Sequence, residues 1–248
     1  MVMKTIKTIS LAFSLILFSA IFFGCKNAGQ SQTKATDAVA EVQVPDHYSV
    51  PQELQYAEPE TYQVDDQTFP LYLFDKFYPI GWSKDGKLAY MEEPADEAVG
   101  AYFFQFHILD MNTGKDVFTW KPEEDPEEGS LSQMFELNKE LFEGKLKENG
   151  IIPQEFKLEE ANVKMDKTMA ENPFIGSDVV KNVKISSGET VIYENQNNDE
   201  YNVNLDQNIA GVLKCPYSDM EAVMVKSIQR GYEGPPHVYT FYFVKAEK

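Results

Sequence analysis

Catalysis by an imidazole needs a nucleophile, a base and an orienting group brought into contact, and this 248-residue chain holds three imidazoles, His47, His107 and His237. No Gly-x-Ser-x-Gly elbow or cysteine-protease signature accompanies them. His107 and His237 fall on predicted strands and read as strand-surface residues, because no His-Glu-x-x-His or second ligand cluster marks a metal site. Asn202, Asn204, Asp206 and Asn208 alternate, which lines up oxygen ligands for a hard cation such as calcium. The segment reads as a polar loop at a sheet edge, and it lacks the glycine and the twelfth-position glutamate of an EF-hand. Glu92, Glu93, Asp96 and Glu97 include enough carboxylates for a glycosidase-type acid pair, yet a run of this kind in a hairpin loop is ordinarily solvated. The sequence assigns no catalytic residue, no metal ligand and no cofactor.

The one residue to which the sequence gives a chemical fate is Cys25. Before it, Met1 to Ser10 carry Lys4 and Lys7 and no acid, and Leu11 to Phe23 run LAFSLILFSAIFF. Those thirteen residues are shorter than the ~20 that span a bilayer, and they form the h-region of a signal peptide. With Gly24 directly before the cysteine, the segment resembles a bacterial lipobox. That resemblance implies a lipoprotein: residues 1–24 are removed, and Cys25 becomes the acylated first residue. Two or more acyl chains give stable anchoring where one gives marginal binding. Lys26 and Asn27 follow, not the Asp that resembles an inner-membrane retention signal, so the resemblance points to the outer membrane.

Loss of residues 1–24 removes two lysines from 22 basic residues and leaves all 40 acids, a formal charge of 20 − 40 = −20. Such a field repels nucleic acid and anionic headgroups and leaves cationic partners or divalent metals open; the expected partners are the membrane, through the N-terminal lipid, and an envelope protein. Acylation of Cys25 also leaves Cys215 without an intramolecular disulfide partner, and its place beside an apolar strand reads as a buried, inert thiol.

The elements that must position these groups follow from periodicity. Residues 25–45 are rich in Ala, Gln, Thr and Ser and form a flexible tether. The body, residues 46–248, is predicted mainly β, an α+β arrangement of antiparallel meander sheets in two related β units joined by one amphipathic helix. Strands are expected at Phe77 to Trp82, Lys87 to Met91, Ala101 to Leu109 and Asp116 to Trp120, with hairpin signals at Asp85-Gly86 and Asn112-Thr113-Gly114. An acidic run, PEEDPEEG, leads into the helix at 130–150, where Ser130 and Gln133 suit a capping box. Further strands are expected at Phe156 to Val163, Val179 to Ile185, Thr190 to Tyr193, Gly211 to Leu213, Glu221 to Ile228 and Val238 to Val244.

Gly81-Trp82-Ser83-Lys84 leading to Leu88-Ala89-Tyr90-Met91 parallels Gly211-Val212-Leu213-Lys214 leading to Ala222-Val223-Met224-Val225, which suggests a diverged duplication of units 68–121 and 178–248. If the units superpose, His107 and His237 occupy analogous faces. The run from Gly81 to Tyr90, with Asp110-Met111-Asn112-Thr113-Gly114-Lys115, resembles a TolB-type propeller blade. One or two blades do not close a propeller. The C-terminal Arg230-Gly231-Tyr232-Glu233-Gly234-Pro235-Pro236 hairpin resembles that of uncharacterised secreted bacterial proteins. The expected function is that of a non-enzymatic binding or scaffolding lipoprotein of the cell envelope, with Arg230 and Tyr232 as candidate partner contacts. The alternative is a periplasmic or surface hydrolase or carbohydrate-active enzyme with a dispersed site, which two carboxylates or a His-carboxylate pair converging in a deep cleft would favour.

Overall fold

A computed structural model describes residues 43–95, 104–122, 129–197, 203–231 and 236–247. Cys25, Asp96, Glu97, Asn202, Tyr232 and most of the acidic run lie outside them.

Chain order is β1 (Thr61–Val64), β2 (Gln67–Pro70), β3 (Tyr72–Phe74), β4 (Lys76–Ser83), β5 (Lys87–Glu93), β6 (Gln105–Asp110), β7 (Lys115–Trp120), α1 (Leu131–Leu137), α2 (Lys139–Glu148), β8 (Ile151–Pro153), β9 (Lys164–Asn172), β10 (Ser177–Ser187), β11 (Thr190–Gln196), β12 (Asn204–Lys214), β13 (Met220–Gln229) and β14 (His237–Glu247). The fold is mainly β and is not a closed propeller. Sheet orders are β7-β6-β5-β4-β8, β12-β13-β14-β3 and β11-β10-β9, with β1 and β2 as a separate ribbon. All pairings are antiparallel except β14 with β3.

Side-chain alternation stacks these sheets. On β5, Ala89 and Met91 join Phe106, Ile108, Phe135, Phe142 and Leu146 in a core beneath the helices. Leu88 and Tyr90, on the opposite face, meet Leu213, Ala222, Met224 and Tyr239 of the four-stranded sheet. The far face of that sheet, with Val212, Val223, Val225 and Val244, packs on Val180, Val183 and Ile185 of the three-stranded sheet. The order is therefore helices, five strands, four strands, three strands. The two inner sheets are apolar on both faces, which is why β5 and β13 read as unbroken apolar runs, LAYM and AVMV.

The two segments that parallel each other in sequence share a backbone feature. Register shifts occur between Pro79 and Gly81 in β4 and between Ile209 and Gly211 in β12. A Cβ on Gly81 would overlap the Ile152 carbonyl, with its carbon at 2.7 Å, and one on Gly211 would meet Glu159 O at 2.8 Å. In both places a strand or bridge from the segment after the helices presses on the bulge, β8 in one case and the Glu159–Val212 bridge in the other. Each bulged strand then pairs with the next through a hairpin.

Three expectations are corrected. The helix is two helices, because the Asn138 side chain donates to Met134 O at 2.9 Å and caps α1. The capping box forms as expected, Ser130 N–H donating to Gln133 Oε1 at 2.9 Å and Gln133 N–H to Ser130 Oγ at 3.3 Å. The predicted strand at 156–163 is an extended connection with the single bridge at Glu159. Its apolar residues still point inward, Phe156 and Leu158 to one core and Val163 to another. β9 follows it, nearly all exposed and held by pairing to β10. Finally, the polar run from Asn204 to Asn208 opens β12 instead of forming a loop.

Candidate functional site

The densest convergence of titratable side chains follows from three neighbouring strands. β5 and β6 pair with Tyr90 opposite His107 and Glu92 opposite Gln105, while β6 and β7 pair with Leu109 opposite Asp116. Same-face diagonal neighbours on such a sheet lie within reach of long side chains. His107 Nδ1 is 3.2 Å from Asp116 Oδ2, and its Nε2 is 3.6 Å from Glu92 Oε1. The latter is a charge contact longer than a hydrogen bond. The imidazole stacks on Tyr90 at 5.0 Å between centroids and 12° between planes. His107 is 7% exposed, so it is a buried residue and not the strand-surface residue that the sequence suggested. Burial alone would lower its pKa, but the hydrogen bond to Asp116 and then the contact with Glu92 outweigh it and raise the value to about 9. The ring is an imidazolium at neutral pH, clamped between two carboxylates on flanking strands.

A second buried carboxyl lies near Glu92. Asp75, at the corner where β3 passes into β4, accepts the Ala95 N–H at 2.8 Å, and its own N–H donates to Tyr239 O at 2.9 Å. Burial raises its pKa to about 7 against the lowering effect of the Ala95 bond, with a further push from Glu92. Glu93, on the other face of β5, accepts from Tyr78 Oη at 2.8 Å and binds Lys76 Nζ at 3.1 Å. Glu92 and Glu93 thus serve opposite faces and do not form an acid pair.

A cleft of about 900 Å³ lies elsewhere among the described residues. One wall is residues 43–54, an extended strap, and the other is formed by Pro79, Ile80 and residues 152–156. The strap is fastened by Tyr48, whose N–H donates to Glu143 Oε1 at 3.0 Å and whose hydroxyl donates to Ile151 O at 2.6 Å. Burial, then Glu143, pushes the Tyr48 phenol up to about 12. His47 adds a 3.4 Å contact to Glu143 Oε2, so it belongs to this latch. Further along, Leu54 N–H donates to Phe77 O at 2.8 Å and Tyr56 Oη to Tyr239 O at 2.9 Å. His107, Glu92, Asp116 and Asp75 do not line the cleft.

The remaining candidates disperse. His237 pairs with Tyr72 in register and accepts the Gly231 N–H on Nδ1 at 3.2 Å, which closes the C-terminal hairpin. It lies on the face of β14 that carries Tyr239, but the residue opposite Met224, the counterpart of Tyr90, is Phe243, so His237 is not the equivalent of His107. Arg230 is exposed, with its N–H donating to Val203 O at 3.4 Å. Asp206 is engaged by Lys167 Nζ and by Asn208 Nδ2, the latter at 2.7 Å, so its carboxylate neutralises a lysine where the cation reading required a metal ligand. Among the described residues no group of three or more His, Cys, Asp or Glu is arranged to hold a metal ion. Cys215 is buried at 4% exposure among Leu213, Met220 and Trp82, as expected for an inert thiol. No helix among the described residues is long and apolar enough to cross a membrane.

Sequence reasoning missed Asp75, Asp116, Tyr48 and Glu143. For Asp116 a signal existed: two tight turns fix the registers of β5, β6 and β7 and with them the diagonal neighbours of His107. For the others no local pattern points across the ~95 residues between Tyr48 and Glu143.

Comparisons of the chain with protein-family models, with curated proteins and with solved structures found no match.

Proposed function

We propose that the chain is a non-enzymatic, lipid-anchored envelope protein, acylated at Cys25, whose β body binds or scaffolds another extracytoplasmic protein. One observation carries the binding reading over the catalytic one. The imidazole that meets Glu92 and Asp116 is buried against Tyr90, and the large cleft is elsewhere, whereas acid-base catalysis needs both in one place. The anchor reading rests on the signal-like segment ending at Cys25 and on the 20 tether residues that follow it in the chain. Incorporation of radiolabelled palmitate, with and without Cys25→Ser, tests the anchor, and protease shaving of intact cells reports the side on which the body faces. Label retained in the Cys25→Ser chain refutes the anchor. Cross-linking on whole cells, followed by comparison of wild type with Tyr232→Ala and Arg230→Ala, tests the C-terminal hairpin as the contact; an unchanged partner set refutes that assignment.

The His107, Glu92 and Asp116 group supports one second reading, a hydrolase with a dispersed site. Under it, His107→Gln abolishes hydrolysis of envelope glycans by the purified chain, and absence of turnover by wild type rejects it.

A further inference from the structure

The cleft between the strap and β8 has few free backbone N–H groups and an unequal supply of charge. Four of its lining residues, Pro45, Pro51, Pro79 and Pro153, have no backbone N–H. Three more N–H groups are already committed: Tyr48 to Glu143, Leu54 to Phe77 O, and Gln154 to Ile80 O. The Tyr48 hydroxyl is spent on Ile151 O. The carboxylates facing the space are Glu53 and Glu155, both exposed, beside the neutral amide and hydroxyl side chains of Gln43, Ser49, Gln52 and Gln154 and with no lysine or arginine in the lining. The chain around them carries a formal charge of −18. A cleft that carries two carboxylates and no lysine or arginine, in a strongly acidic chain, complements a cationic donor, and its volume lies within the range of ligand sites.

We propose that this cleft binds an extended, lysine- or arginine-bearing segment of a partner protein, with Glu53 and Glu155 pairing to its cationic side chains. The inference rests on the binding-module reading and names the chemistry of the partner.

The test is calorimetric titration of the full chain in detergent with a capped peptide of alternating lysine and alanine. One-site saturation is expected, weakened about tenfold by the double substitution Glu53→Gln and Glu155→Gln, since each removes one charge pair of about the strength measured for partly exposed ions. The paired substitution Glu58→Gln and Glu60→Gln, at exposed acids outside the cleft, is expected to leave binding unchanged. Unchanged melting temperatures show that both variants fold. The proposal is overturned by an equal loss in the two variants, which indicates only the diffuse field, or by undiminished binding of the same peptide with every lysine acetylated. Spermidine binding as tightly as the peptide overturns it in favour of a free polyamine, and absence of saturation overturns it outright. If the peptide fails while whole-cell cross-linking still yields a partner, the cleft assignment falls and the binding-module reading stands.

Discussion

Replacing His107 with glutamine removes a cation held between Asp116 at 3.2 Å and Glu92 at 3.6 Å, and its energetic effect depends on pH. The folded-state pKa of about 9 lies above the unfolded value of 6.5. Folding therefore raises the proton affinity of this group. Its contribution to stability is fully present below pH 6.5 and is lost as pH rises through 9. A difference of 2.5 units at 1.36 kcal/mol per unit is about 3 kcal/mol, a large share of the 5–15 kcal/mol typical of a domain. Urea denaturation of the full chain between pH 7 and 9.5 isolates this group in the difference between wild type and variant, because the raised Asp75 carboxyl, half ionised near 7, finishes its titration equally in both. Wild type is expected to lose about 2–3 kcal/mol across that window. His107→Gln is expected to be weaker at pH 7 by a similar amount and to fall only by the small remainder of the Asp75 titration, the two curves converging near pH 9.5. A parallel slope in wild type and variant refutes the clamp, and so does a His107 imidazole resonance that titrates below 7.

Asp75→Asn keeps an acceptor for the Ala95 N–H and removes a buried charge. Because the folded pKa of Asp75 is raised to about 7, its stability contribution is present below 3.8 and lost as pH rises through 7, so the variant is expected to be more stable than wild type at pH 8 by about 1–3 kcal/mol and no more stable at pH 4. Equal melting temperatures at pH 8 refute that. Gly81→Ala forces a methyl into the Ile152 carbonyl and is expected to cost about 2–4 kcal/mol, whereas Gly114→Ala, at φ +65° with open space around it, is expected to cost about 1 kcal/mol; thermal melts rank the two. Phe142→Ala, which empties a position stacked on Phe106 at 4.6 Å and edge-on to Trp120, is expected to cost about 3–5 kcal/mol by urea denaturation.

The strands legible in the sequence were those buried on at least one face. β4, β5, β6, β13 and β14 announced themselves through apolar residues that both alternate and crowd, and the turns at Gly86 and Gly114 take the positive φ expected of them. β9 was invisible because its KMDKTMAEN side chains are almost all exposed and backbone pairing alone holds it. The segment at 156–163 deceived in the opposite way: Phe156, Leu158 and Val163 are buried by different cores as the chain crosses the sheet ends, so apolar spacing arose without a ladder. Asn204 to Asn208 looked like a loop because their polar side chains gave no burial signal, although Gln207 is 6% exposed. The site was less legible than the fold. His107 was visible as a residue but not as a buried one, since its burial depends on Tyr90 and on a sheet contributed by residues more than 100 positions later. Cys25, to which the sequence gives the clearest fate, lies outside the described residues.

The position of β14 bears on when this chain can fold. It supplies Tyr239, Phe241 and Phe243 to one core and Tyr242, Val244 and Ala246 to the next, and it pairs with β3 across more than 160 residues. Neither inter-sheet core closes until residues 237–247 have been synthesised, and closure of so long a loop is slow. A nascent chain of the first 236 residues lacks the strand that both cores share, so it stays open throughout most of its synthesis. That delay suits the route proposed above, because a chain that crosses a membrane as an extended polymer must reach the far side before its last strand locks the sheets together.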